Sequence, residues 1–243
     1  MGWWENPGVS VSQPDLLLDN VLDNPVWHSL TGAHASLAEG TGLARRYRPD
    51  VSPFAAVSDP GSAQAWRDLA AAVGPGGTAL ITGAAGVCGE GWELVGGGEG
   101  VQLVETARVA ATPDPEAVVL GAADVPEMLD LVARTEPGPF EKSTHTMGTY
   151  LGLRHEGRLV AMAGQRMHPG GWIEISAVCT APEARGRGLA GRLVRAVTAD
   201  IHARGARALM HASVANTGAI SVYLGLGFEE RRRTTFELFR APA

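Results

Sequence analysis

The chain of 243 residues is short of several features that would place it quickly. It has only two cysteines, Cys88 and Cys179, too few for a disulfide framework, and no Cys/His spacing matches a structural zinc site, so no metal is expected. No apolar run approaches the ~18 residues of a membrane span. The start, Met1-Gly2-Trp3-Trp4-Glu5, lacks the basic and apolar regions of a signal peptide, and Asn6 breaks the myristoylation pattern. These absences imply a cytoplasmic chain that does not use a membrane. Lysine is almost missing: Lys142 is the sole lysine among 20 basic residues. With alanine and glycine abundant, this reads as the coding bias of a high-GC genome, so only clustered arginines count as evidence. A net charge of -6 gives no reason to expect nucleic acid as a partner.

What remains is ordinary globular composition, 45% hydrophobic and 19% charged, enough for one large domain or two small ones. Residues 1 to about 24 fit one or two short helices. Val26 to Leu43 shows helical spacing, with Gly40 and Gly42 as the stop. Phe54–Val57, Thr78–Thr82 and Val101–Glu105 read as strands, and Asp59-Pro60 as the cap of a helix through Val73. The run Gly96-Gly-Gly-Glu-Gly100 has no lysine and no following helix, and reads as a flexible hairpin rather than a phosphate loop. Charge changes across Ala111-Thr-Pro-Asp-Pro115. Residues 1–105 hold 4 basic and 12 acidic side chains (net -8), and residues 106–243 hold 16 and 14 (net +2). A boundary is therefore expected at 106–116, between an N-terminal α/β domain, 1–105, and a C-terminal α/β domain, 117–243.

In the C-terminal part strands and helices alternate. Ala117–Leu120, Thr149–Leu153, Arg158–Gly164, Trp172–Cys179, Ala206–Ala212 and Phe228–Phe239 read as strands. Residues 125–134, 187–204 and 217–224 read as helices. The stretch from Trp172 to Ala196 organises the rest: an alternating strand, a basic glycine-rich turn and an amphipathic helix. Such a turn gathers free backbone N–H groups at a helix N-terminus, which favours a pyrophosphate. Gly186, Gly188 and Gly191 satisfy G-x-G-x-x-G formally. However, the loop Thr180–Arg185 separates them from the strand, and positions 206–213 hold no carboxylate for a ribose, so the dinucleotide reading fails in context.

Arg185-x-x-Gly188-x-Ala190 after an alternating strand resembles the acyl-CoA signature of the GNAT superfamily of N-acyltransferases. Asn216-Thr-Gly-Ala-Ile-Ser-Val-Tyr223-Leu-Gly-Leu-Gly227-Phe228 resembles that family's second motif. The match spans about residues 117–240 and implies a mixed central sheet flanked by helices. The N-terminal half would suit a smaller, degenerate GNAT-like half, and the whole resembles two-domain relatives such as glycine N-acyltransferase-like proteins. The resemblance implies acetyl-CoA as co-substrate, with its pyrophosphate on the amides of Gly186, Arg187, Gly188, Leu189, Ala190 and Gly191. Arg185 and Arg187 would add charge. The strand at 172–179 would splay from that at 206–212, and the pantetheine would bond the free edge near Val178 and Thr180, with the Val178 N–H polarising the thioester carbonyl.

Alternation puts Glu174, Ser176 and Val178 on one strand face. Glu174 lies eleven residues before Arg185, where many GNAT enzymes carry a general base. Burial would raise its pKa toward neutrality, which suits that role, although a carboxylate paired with an arginine is the alternative. Tyr223 resembles the family's general acid, or packs beside Ile220 and Leu224. Asn216 caps its helix, bonds the pantetheine, or both. His211 is a rival base or a packed core histidine, and Cys179 reads as core. Arg231-Arg232-Arg233 and His145 are open between surface roles and acceptor binding. The expected activity is acetyl transfer to a primary amine on a small molecule or peptide. A CoA-binding sensor without turnover is the alternative, and oligomerisation is left open.

Overall fold

The computed structural model describes residues 21–243, so the helices expected before residue 21 lie outside the described residues. Asn24 and Pro25 start the first helix, α1 (Pro25–Leu30): the Asn24 side chain accepts from the Trp27 N–H, and proline at the first position gives up no helical hydrogen bond. The helix ends at Thr31 rather than running to Leu43. Gly32 sits so close to the His28 carbonyl that a Cβ there would lie 2.8 Å from its oxygen. The chain then forms three short antiparallel strands, β1 (Ala38–Glu39), β2 (Ala44–Tyr47) and β3 (Ala55–Val57). Ser62, not Asp59, caps α2 (Ala63–Val73), accepting from Ala65 N–H, and the helix buries Ala65, Trp66 and Leu69.

An eight-stranded sheet follows. In chain order its strands are β4 (Thr78–Thr82), β5 (Glu93–Glu105), β6 (Val118–Leu120), β7 (Tyr150–His155), β8 (Arg158–Gln165), β9 (Trp172–Thr180), β10 (Arg207–Ser213) and β11 (Phe228–Arg240). The spatial order is β4-β11-β5-β10-β9-β8-β7-β6, antiparallel except for β9 and β10. A parallel neighbour needs a crossover, supplied by helix α4 (Leu189–Ala203). α3 (Val125–Thr135) and α5 (Thr217–Gly225) complete the layers. The largest core packs Leu193, Val197 and Ile201 of α4 and Met128 and Leu131 of α3 with Ile173, Ile175 and Met210.

This is a mixed α/β fold in which strands from both sides of residues 106–116 share one sheet. β5 lies between β10 and β11, so the expected boundary does not part the sheet in two. The acidic segment is instead held to α4, where Arg192 donates to both oxygens of Asp114 at 2.7 and 2.8 Å. The Gly96–Gly100 run is also no hairpin: it lies inside β5 and pairs with β11. Among the described residues no helix is long and apolar enough to cross a membrane.

Candidate active site

β9 and β10 pair only from Trp172–Ile175 against Arg207–Met210. Beyond that point β10 stays on β5 through Ser213, and β9 stays on β8 through Thr180. The two strands therefore splay, as expected. The divergence starts beside Ala177, which adopts φ 52°, a left-handed conformation that costs a non-glycine residue about 1 kcal/mol or more. The register shifts there, and Met162 faces Cys179 whereas Gly164 faces Ser176. An extra residue at the bulge reverses the alternation. Cys179, rather than Val178, thus continues the face of Glu174 and Ser176, which corrects the alternation expected above.

A cavity of about 280 Å³ opens in the splay, with Val178 and Ser176 on one wall and His211, Asn216 and Tyr223 on the other. Next to it in the chain, Gly186 and Gly188 take φ 75° and 72°, and a Cβ at either would meet nothing within 4 Å. The helix that follows has no side-chain cap. The N–H groups of residues 186–191 donate to no backbone carbonyl among the described residues, and the ladder begins with Arg192 to the Gly188 carbonyl. Six successive free donors at the positive end of a 15-residue helix fit a pyrophosphate. Arg187 is exposed there. Arg185 turns back instead, and its Nε donates to the Thr180 carbonyl at 3.3 Å.

Glu174 is fully buried and held on three sides. Arg166 Nε and Nη2 donate to its two oxygens at 2.8 and 2.6 Å, and His211 Nδ1 lies 2.7 Å from Oε1. Burial alone would raise its pKa, but the Arg166 guanidinium and the hydrogen bonds from Arg166 and His211 outweigh it and hold the carboxyl well below the usual range. The expected rise toward neutrality is therefore overturned, and the pairing with an arginine is what the structure shows. Glu174 is not among the residues lining the cavity, whereas Arg166 and His211 are.

The neighbours also settle which nitrogen of His211 carries the proton. Gln102 is oriented by Arg231 Nη1, which donates to its oxygen at 3.0 Å, and by the Leu22 carbonyl, which accepts from its nitrogen at 2.8 Å. Its amide N–H therefore points at His211 Nε2, 3.0 Å away. His211 thus donates from Nδ1 to Glu174 and keeps its lone pair on Nε2. Tyr223, which also lines the cavity, is buried, and burial followed by the nearby Cys179 pushes its phenol up to about 12. Its hydroxyl keeps its proton at neutral pH. Asn216 caps α5, accepting from the Ala219 N–H at 3.1 Å, and also lines the cavity.

A model of the FR47-like protein family matches residues 150–237. The crystal structure of a GNAT-family acetyltransferase from Novosphingobium aromaticivorans is 38% identical and superposes with a TM-score of 0.81, over 92% of this chain and 99% of that one. The chain belongs to the GNAT family of acetyltransferases. A GCN5-related N-acetyltransferase from Kribbella flavida shares the fold at 16% identity, with a TM-score of 0.60 over 96% of this chain and 97% of that one. A Drosophila protein does so at 16% identity and 0.56, over 95% and 97%. No curated protein matches.

Other expected residues of this GNAT acetyltransferase fall outside the cavity. Arg231 and Arg232 both reach Asp23 at 2.9 Å, and Arg233 pairs with Glu230. His145 sits on a single turn of 3-10 helix and does not line the cavity, although Glu136–Pro139 of the preceding segment do. Cys179 is buried and pushed up to about 11 by burial. Phe54, Leu80 and Phe236 line the cavity without being legible as site residues, because they come from segments outside both motifs. Arg166 had a usable signal: a hairpin turning at Pro169–Gly171 sets residue 166 directly opposite Glu174, and its N–H donates to the Glu174 carbonyl.

Proposed function

We propose that this chain transfers an acetyl group from acetyl-CoA to a primary amine by direct attack. The observation that carries the reading is the cavity in the β9/β10 splay. Tyr223, whose phenol keeps its proton, and His211 line it, and the turn with the free amides follows β9 in the chain. The amides of Gly186 to Gly191 would hold the pyrophosphate, the edge at Val178 and Thr180 the pantetheine, and the Val178 N–H the carbonyl oxygen. The amine nitrogen attacks the carbonyl carbon, forming the C–N bond. The C–S bond breaks, its electron pair goes to sulfur, and Tyr223 supplies the sulfur's proton. The proton leaving the amine goes to His211 Nε2, where the amine replaces the Gln102 N–H, and Gln102 keeps its bond to Leu22. Glu174 is then a positioning group that fixes the tautomer of His211 and stabilises the imidazolium as it forms. Thiol release from acetyl-CoA with pooled primary amines tests this. Amine-dependent release supports it, and CoA binding without release from any pool overturns it.

A further inference from the structure

The Gly96-Gly-Gly-Glu-Gly100 run has a role that the transfer chemistry does not use. On the face shared with β11, Gly96 stands opposite Leu238 and Gly98 opposite Phe236. Gly100 is needed for packing, since a Cβ there would lie 2.4 Å from the Phe236 ring. Gly98 is different: its φ is not positive, and a Cβ would meet nothing within 4 Å. Above it is a groove of about 510 Å³ whose walls are Pro53, Leu80, Phe236 and Leu238 over the bare backbone of Gly97 and Gly98. Leu80, Phe236 and Ser213 line both this groove and the reaction cavity. The register places His211 opposite Gln102 and Ser213 opposite Gly100, so one sheet face runs from the imidazole into the groove. The one charged wall residue is Glu99. In the cavity the Arg166 cation is already neutralised by Glu174, which leaves no free positive charge for an acceptor carboxylate.

Building on the acetyl-transfer reading, we infer that the acceptor is a primary amine on an elongated apolar body, alkyl or arylalkyl. Its nitrogen lies at His211 and its tail in the groove over Gly98. Each methylene buried there should raise kcat/KM roughly fourfold, the increment for transferring a CH₂ out of water.

The test measures acetyl transfer to straight-chain amines from propylamine to octylamine, with glycine as a carboxylated control, for the native chain and for Gly98→Val and the milder Gly98→Ala. CoA affinity by calorimetry checks that each variant is folded. The expected result is a kcat/KM that climbs with chain length, exceeds that of glycine, and climbs less steeply as residue 98 grows. A flat series with measurable turnover would overturn the inference and leave the acetyl-transfer reading standing, as would an unchanged slope in Gly98→Val. No turnover with any amine would overturn both.

Discussion

Replacing Arg166 with methionine removes one half of a fully buried ion pair and leaves Glu174 with His211 as its remaining side-chain partner. The side-chain exposures are 8% and 0%, and only the Arg166 end borders the cavity, so water reaches the Glu174 carboxylate poorly. Breaking a pair in such surroundings destabilises by about 3–5 kcal/mol. For a chain of this size that lowers Tm by roughly 6–20 °C. The sign of the pH dependence is specific. In the native chain the folded-state pKa of Glu174 is depressed, so its contribution is present above the unfolded value and is lost only as pH falls through the low folded one. In Arg166→Met, burial without the arginine raises the folded pKa above the unfolded one. The variant therefore regains stability relative to the native chain as pH falls from neutral toward about 4.3. Urea unfolding of both proteins at pH 7.5 and 5 measures the difference. A deficit below about 1 kcal/mol, the range of exposed pairs, or one that does not narrow at the lower pH, would refute the reasoning.

Other outcomes follow from the same geometry. His34 and His168 are both lowered to about 4, with burial the leading cause. The unfolded chain then binds more protons between that value and 6.5, and stability should fall over that window on acidification. By linkage the loss is roughly 2 kcal/mol per histidine at pH 5, and the double variant His34→Gln/His168→Gln should show a flatter pH dependence in urea unfolding. Iodoacetamide should label one thiol in the folded chain and two after unfolding, because Cys88 is exposed and Cys179 is buried; rapid double labelling of the native protein would contradict the packing. Gly188→Ala should weaken CoA binding about tenfold or more by calorimetry, since alanine resists the positive φ that presents the free amides.

Residues 117–243 are legible where the chain carries its own periodicity. The α4 segment is legible to within two residues because continuous apolar spacing and flanking glycines mark it, and the start of β11 because Gly227 ends the preceding helix. The turn of free amides is legible because glycines and a helix start suffice to make it. The bulge was not, since Ala177 gives no signal that it will take a left-handed conformation. β5 was read short because its glycines have no side chains to alternate, and its pairing with β10 and β11 is tertiary. Glu174 was singled out correctly as a buried carboxylate. Its chemistry depends on Arg166 across the hairpin and His211 on the next strand, and so it was misread.

The central claim is that Tyr223 and His211 act on the reacting atoms while the CoA-binding amides lie elsewhere. The most direct measurement compares amine-dependent thiol release with CoA affinity for Tyr223→Phe and His211→Ala. Each variant should lose turnover by about a hundredfold or more with CoA affinity within about twofold. Turnover at the native level in both would contradict the account.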